Sequence, residues 1–528
     1  MSSPDPQKTT AAAMFTDDDS LRQRANGSSS SVENADQALE ALGYKPELAR
    51  NRSTLQIAFM LAALAAVPYG MTTAMTYPVV GGGPAVMIWG WVAVSLLVLC
   101  VAASLGEITS VYPTAGGVYY QTFMLAPESW RRLASWICGW LYVVGQITIT
   151  LAVNFGTTLF FVACVNVFEK DDGSPIWDAK TYQVFLIFLG ITLMSNLVAA
   201  TGNRWLPLLD TAALFWNIAG VVAIAVTVLV VAKNGRRSAA YAFGHFEPHS
   251  GWPDGWSFCV GLLHAGYCTS TTGMVITMCE EVHQPATQVP KAIVGTVAAN
   301  LVIGLVFLIP LCFVLPDLEM LANLANGQPI PTMIKSAVGP EGGIALLVPI
   351  LVLGLLCGVT CTTSASRCTW AFARDGAIPG SRWWRQVHPK LNVPFNAMML
   401  SMVVQILLAI IYFGSSEALN AFLGVCIICL TAAYASPIAV NFATGRKAVR
   451  KARFNLGWFG VPANAIALAW SLFAIPLFCM PTAIPVEATT VNYAPVVFVA
   501  AMLVSAAWYI VWGYKNYEGP PTHEPGAF

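Results

Sequence analysis

The sequence predicts an all-α polytopic membrane protein of about twelve transmembrane helices, and three observations carry that reading. The residues AVILMFWYC fill 56% of 528 positions while DEKR fill 10%, whereas a soluble domain carries roughly a quarter charged residues. Apolar runs of about twenty residues, the length that spans a bilayer, recur along the chain. Lys and Arg cluster in alternate connections between those runs.

Taken in order, residues 1–50 are polar and rich in Ser, Asp, Ala and Gln, and are expected to be a disordered cytosolic tail without the apolar core of a signal peptide. Residues 51–515 form the twelve-helix domain. Its expected segments are 54–77, 85–105, 134–164, 182–200, 207–232, 256–279, 291–315, 343–366, 395–413, 418–442, 462–481 and 492–513. Residues 516–528 form a C-terminal tail. With the N-terminus inside, the inner connections hold Arg131, Arg132, Arg382, Arg385, Lys447 and Arg450 among others, and the outer ones only Lys170, Lys180, Lys233, Arg236, Arg237 and Lys335. That bias, about three to one, places both termini in the cytosol. The sequons at Asn26 and Asn51 then face the cytosol and stay unmodified.

Charges balance at 27 against 27, so no global field draws the chain to nucleic acid. Thirteen cysteines are irregularly spaced in or beside apolar runs and read as small packing residues. Cys426 and Cys429 form a CxxC inside an apolar helix with no His or second pair nearby, so neither metal nor cofactor is expected.

Two helices are built to break. In the first, Pro68-Tyr69-Gly70 leads into Met71-Thr72-Thr73; in the sixth, Gly266-Tyr267 leads into Cys268-Thr269-Ser270-Thr271-Thr272-Gly273. Pro removes a backbone donor, Gly weakens a helix, and clustered hydroxyls compete for backbone bonds. Unwound backbone at mid-membrane is tolerated only where it lines a cavity or is buried in protein, and its freed groups can bind a carboxylate, an ammonium or an ion. The two segments are five apart, the spacing of a five-plus-five inverted repeat. Either Gly, Ser and Thr here permit close helix packing, as expected of Gly354 and Gly358, or the two breaks form a binding site; their corresponding positions favour the site.

The stretch Ser104-Leu105-Gly106-Glu107-Ile108-Thr109-Ser110-Val111-Tyr112-Pro113-Thr114-Ala115-Gly116-Gly117 resembles the signature between the second and third helices of the amino acid-polyamine-organocation superfamily. Gly81-Gly82-Gly83-Pro84, Glu280-Glu281 with Val289-Pro290-Lys291-Ala292-Ile293, and Ser364-Ala365-Ser366-Arg367 through Ala371-Phe372-Ala373-Arg374-Asp375-Gly376-Ala377-Ile378-Pro379-Gly380 agree with it. The last is similar to the amino acid/choline transporter branch, which includes fungal choline and 4-aminobutyrate permeases. The resemblance implies a secondary active transporter working by alternating access on an amino acid, 4-aminobutyrate, choline or similar nitrogenous solute, coupled to protons. It implies substrate contacts at Gly70, Met71, Thr72 and Thr73 and from Tyr267 to Gly273. The plasma membrane is the expected location, with the vacuolar membrane as alternative. Many relatives carry Asp or Asn where this chain has Gly273, so the faces of Tyr69, Trp140, Tyr142 and Tyr267 are the expected walls for a cation.

Ionisable groups near the membrane are few, and each is a functional candidate. Asp210 either carries a coupling proton or sits at the interface beside Arg204. Glu107, Glu280, Glu281, Arg367 and Arg374 fall at cytosolic helix ends, where they form a gate or lie solvated. His264 is expected to be a packing residue. No Ser-His-Asp pattern, HExxH or Walker loop accompanies the helices, so an enzyme is not expected, and no filter repeat suggests a channel. An exporter of a nitrogenous metabolite and a nutrient-sensing receptor on the same fold are the alternatives.

Overall fold

The computed structural model describes residues 35–521 apart from 38, 49, 51, 171–173, 203, 325–327, 415–417 and 487–490. The sequon at Asn26 and residue Asn51 lie outside the described residues. Among the described residues, eleven stretches are long and apolar enough to cross a membrane. The first is divided into α1 (Thr54–Ala65) and α2 (Val67–Thr73). Next come α3 (Trp91–Val111), the short α4 (Gly117–Leu125), α5 (Arg131–Val165), α6 (Thr181–Thr201) and α7 (Leu206–Val231). The expected sixth segment, 256–279, is the one missing from the eleven. It consists of α8 (Asp254–Gly261), α9 (Leu263–Thr269) and a 3₁₀ run, Ser270–Glu281. Then follow α10 (Pro285–Phe313), α11 (Pro340–Arg374), α12 (Phe395–Ala409), α13 (Ala418–Ala443), α14 (Gly460–Leu477) and α15 (Ala494–Trp508).

The bundle pairs segments that lie five apart in sequence. The α2 half of the first span packs on α9 of the sixth, α3 on α10, α5 on α11, and α6 on α12. The cross-pairs match too, since α5 lies against α13 as α11 lies against α7. This is the packing a five-plus-five inverted repeat produces, and it brings the two broken segments together at its centre. Lipid-facing positions are apolar, as at Leu208, Phe215 and Val222 of α7, because neither face of an outer helix meets water.

The first and last described residues lie on the same face, called here the terminal face, where Pro521 packs on Gly43. The described residues of 35–50, expected to be disordered tail, are instead folded against it. Leu39, Leu42, Tyr44 and Leu48 are buried, Arg50 donates to the Val282 carbonyl at 2.7 Å and pairs with Asp36 at 2.6 Å, and the Tyr44 hydroxyl donates to Asp375 at 3.0 Å. Four apolar side chains in ten residues supply the burial that a polar tail lacks. The expected C-terminal tail begins likewise: Tyr517 is buried, its ring 5.0 Å from that of Trp136. Cysteines are free throughout the described residues.

Candidate functional site

The first break sits at Ala66, which adopts the left-handed conformation (φ 37°, ψ 54°), a strained state for a residue with a Cβ. It lies upstream of the Pro68-Tyr69-Gly70 sequence expected to unwind. Pro68 falls in the first turn of α2, where its missing N–H is no loss and its fixed φ starts a helix. Gly70 to Thr73 are therefore helical. Thr72 and Thr73 turn their hydroxyls back onto the Pro68 and Tyr69 carbonyls at 2.7 and 3.1 Å, so these two hydroxyls are engaged within their own helix. Gly70 backs onto the sixth segment: a Cβ there would stand 3.0 Å from Cys268 Sγ.

The second break is a change of winding. Tyr267, Cys268 and Thr269 close α9, and from Ser270 the chain runs as 3₁₀ helix for twelve residues, far beyond the usual three or four. Side chains from three neighbours hold it. Tyr434 of α13 donates to the Ser270 carbonyl at 2.9 Å, Tyr142 of α5 donates to the Gly273 carbonyl at 2.9 Å, and the Ser364 hydroxyl of α11 lies 3.0 Å from the Met274 carbonyl. Gly273 is required because a Cβ would drive into the Tyr434 ring. Thr269, Ser270 and Thr272 donate to the Ala265, Tyr267 and Thr269 carbonyls at 2.6 to 2.7 Å. Gly266 faces elsewhere: a Cβ there would meet Phe478 Cζ at 2.7 Å, so its smallness serves packing.

Four tyrosines surround the breaks, and their hydroxyls differ. Tyr69 donates to the Val153 carbonyl at 2.6 Å and accepts from Thr157 at 2.9 Å, its ring pressed where Gly354 and Gly156 leave room. Tyr142 and Tyr434 are bonded as above. Tyr267 is 3% exposed and its hydroxyl has no partner among the described residues, and a buried donor left unpaired costs about 1–3 kcal/mol. Trp140, an expected wall, instead joins the Trp136 and Phe372 rings at 6.2 and 6.1 Å. A narrow cleft lined by Ala65, Trp91, Cys268, Thr271, Thr272 and Asn300 opens beside the breaks. His264 is buried with Nδ1 2.8 Å from the Gly261 carbonyl, beside Trp91.

Toward the terminal face, the ionisable candidates converge into closed ion pairs. Glu281 lies 2.9 Å from Arg367 and 3.3 Å from Arg52, and Arg52 reaches Asp210 at 2.9 Å. Asp210 also accepts from Thr360 at 3.2 Å; its partner is Arg52, not the exposed Arg204. Glu280 takes Arg374 on both oxygens at 2.9 and 3.1 Å and the Ala115 amide at 3.1 Å. Glu107 takes Arg446 at 2.6 and 2.8 Å and the Leu456 amide at 3.0 Å. These groups are buried or nearly so, which excludes the solvated alternative, and removing one member of such a pair costs about 3–5 kcal/mol. Sequence alone gives Arg52 and Arg446 no role beyond the cytosolic charge bias and gives Tyr434 none. A basic residue one turn before or after an apolar run was the available signal for the first two; Tyr434 offered none.

The profile of the amino acid permease family matches residues 53–501. The chain belongs to that family. Among curated relatives, the amino-acid permease BAT1 homolog of Oryza sativa subsp. japonica is 31% identical over 502 residues, covering 92% of this chain and 96% of its own. The choline transporter of Saccharomyces cerevisiae is 30% identical over 450 residues, covering 85% and 78%, and the polyamine transporter TPO5 of the same yeast is 29% identical over 464, covering 85% and 73%. The permease is thus a multi-pass membrane transporter and not an enzyme. Its charged layer gathers Arg52, Asp210, Glu280, Glu281, Arg367 and Arg374 at the far end of the 3₁₀ run from the Ala66 break.

Proposed function

We propose that this permease moves a small nitrogenous solute across the membrane by alternating access, binding it where α1–α2 and α9 with its 3₁₀ run are interrupted. The observation that carries the reading is the pairing of the Ala66 break with the Ser270 change of winding, side by side and flanked by the unpaired Tyr267 hydroxyl. Gly70, Met71 and Tyr267 to Gly273 form the proposed site. Its lining is neutral, with ring faces, thiols, hydroxyls and helix-end carbonyls, which suits a zwitterion such as an amino acid or 4-aminobutyrate, or a single dispersed cation such as choline. A polyamine would bring several charges without a carboxylate to meet them. The terminal face is proposed to be cytosolic, from the Lys and Arg bias, and the membrane to be the plasma membrane, from the resemblance to fungal uptake permeases. The conformation is then one closed toward the cytosol. Proton coupling is proposed through Asp210, the buried carboxylate that links the first, fifth and sixth segments through Arg52 and Glu281.

Uptake and efflux of labelled 4-aminobutyrate, choline, neutral and basic amino acids and spermidine, in cells lacking their own permeases and with or without a proton gradient, test this reading. Saturable flux of a zwitterion or choline, with accumulation that collapses when the gradient is removed, is the expected result. Flux of spermidine alone would overturn the neutral-site argument. No flux of any solute would leave the chain a sensor.

A further inference from the structure

The connection between α13 and α14 carries five cations in eight residues: Arg446, Lys447, Arg450, Lys451 and Arg453. Arg446 is engaged with Glu107 and the Gly457 carbonyl. The other four are exposed, and among the described residues none has an ion-pair partner. A short 3₁₀ turn, Ala448–Lys451, buries Val449 beneath them and fans Lys447, Arg450 and Lys451 outward. Immediately after the cations stand Trp458, 84% exposed, and Phe459, 46% exposed, at the start of a helix whose outer side is apolar. Exposed Trp beside the end of a spanning helix marks the boundary between headgroups and hydrocarbon. The four unpaired cations therefore lie at headgroup level, against the same leaflet.

We infer that residues 447–459 bind anionic phospholipid headgroups, the four cations meeting the phosphates while Trp458 and Phe459 seat between the chains. The occupant is the bilayer in which the permease sits, because the rings and the cations share one boundary, which a soluble anion would not need. The loop is also fastened to the machinery. The Phe454 amide donates to Ser110 Oγ at 3.0 Å and the Leu456 amide to Glu107, while Ala115, a few residues on, donates to Glu280 at the end of the 3₁₀ run. A headgroup held by the loop braces the end of α3, one part of the closed layer.

The full-length protein in uncharged detergent micelles provides the test. Titration with phosphatidylserine should raise its melting temperature beyond any effect of phosphatidylcholine, and native mass spectrometry should show phosphatidylserine retained. The combined variant Lys447→Gln, Arg450→Gln, Lys451→Gln and Arg453→Gln touches only exposed side chains and should fold. Its apparent affinity for phosphatidylserine should fall about tenfold or more. Trp458→Ala should weaken retention with all charges intact. Arg446→Gln, which removes a buried partner, should lower the starting melting temperature yet keep the response. Equal responses to the two lipids, a quadruple variant that responds like the wild type, or full replacement of phosphatidylserine by soluble inositol hexakisphosphate would each overturn the assignment.

Discussion

Tyr267 is the residue on which the site turns. Its ring is buried beside the breaks and its hydroxyl has no partner among the described residues, whereas the three other tyrosines are bonded. If the ring face holds an ammonium, Tyr267→Phe should keep most of the apparent affinity and Tyr267→Ala should lose about tenfold to thirtyfold, the worth of one desolvated cation contact. Equal loss in both variants would assign the hydroxyl, not the face, to the substrate. Asp210 makes a second residue-scale case. Held between Arg52 and Thr360, its carboxylate is replaced by Asn without loss of shape but with loss of the charge that Arg52 needs. Asp210→Asn should abolish gradient-driven accumulation measured in intact cells, while solute exchange at zero gradient survives. Unchanged accumulation would remove Asp210 from coupling.

Among the elements, the sequence showed where helices run better than where they stop. The spans were legible because apolar runs of bilayer length have no alternative, and the fifth, expected at 207–232, is Leu206–Val231. The position of the first break was not, since Pro68 reads equally as a helix breaker and as a first-turn residue, and only packing places the kink at Ala66. The folded 35–50 segment was hidden by the polar composition before it, although Leu39, Leu42, Tyr44 and Leu48 were there to be read. Nor could Gly273 be understood alone, for what fills its side-chain position is Tyr434, 161 residues along the chain by subtraction of their numbers. That contact predicts strong coupling. Gly273→Ala should destabilise the protein by forcing the ring aside, and combining it with Tyr434→Ala should be less damaging than the sum of the two, with a coupling of about 0.5–3 kcal/mol by thermal unfolding. Strict additivity would show that the ring yields freely.

At the scale of the whole molecule, the terminal face is closed by ion pairs within the bundle and by the 35–50 segment laid across it. Asp375 joins the two, accepting from Tyr44 at 3.0 Å and Tyr119 at 2.7 Å. Burial pushes its carboxyl up to about 6, although Arg374 and the two hydroxyls pull it down. A carboxyl raised in the folded state contributes stability below its ordinary range, near 4, and loses it as pH rises through about 6. The folded state around Asp375 should therefore gain stability on acidification from pH 7 to pH 5. Hydrogen exchange of residues 39–48 measures it, and Asp375→Asn should make the protection independent of pH over that interval. Exchange that quickens in acid would reverse the sign of the argument.

The 3₁₀ run has a length as well as a site. Twelve residues rise about 24 Å at 2.0 Å each, against about 18 Å as α-helix. Rewinding the same residues would draw one end toward the other by about 6 Å, a stroke close to one helical turn. Glu280 and Glu281 stand at that end, each fixed to an arginine of α11 at hydrogen-bonding distance, and no ion pair spans a further 6 Å. Were the run to rewind, its change of pitch and the parting of those two ion pairs would be one movement.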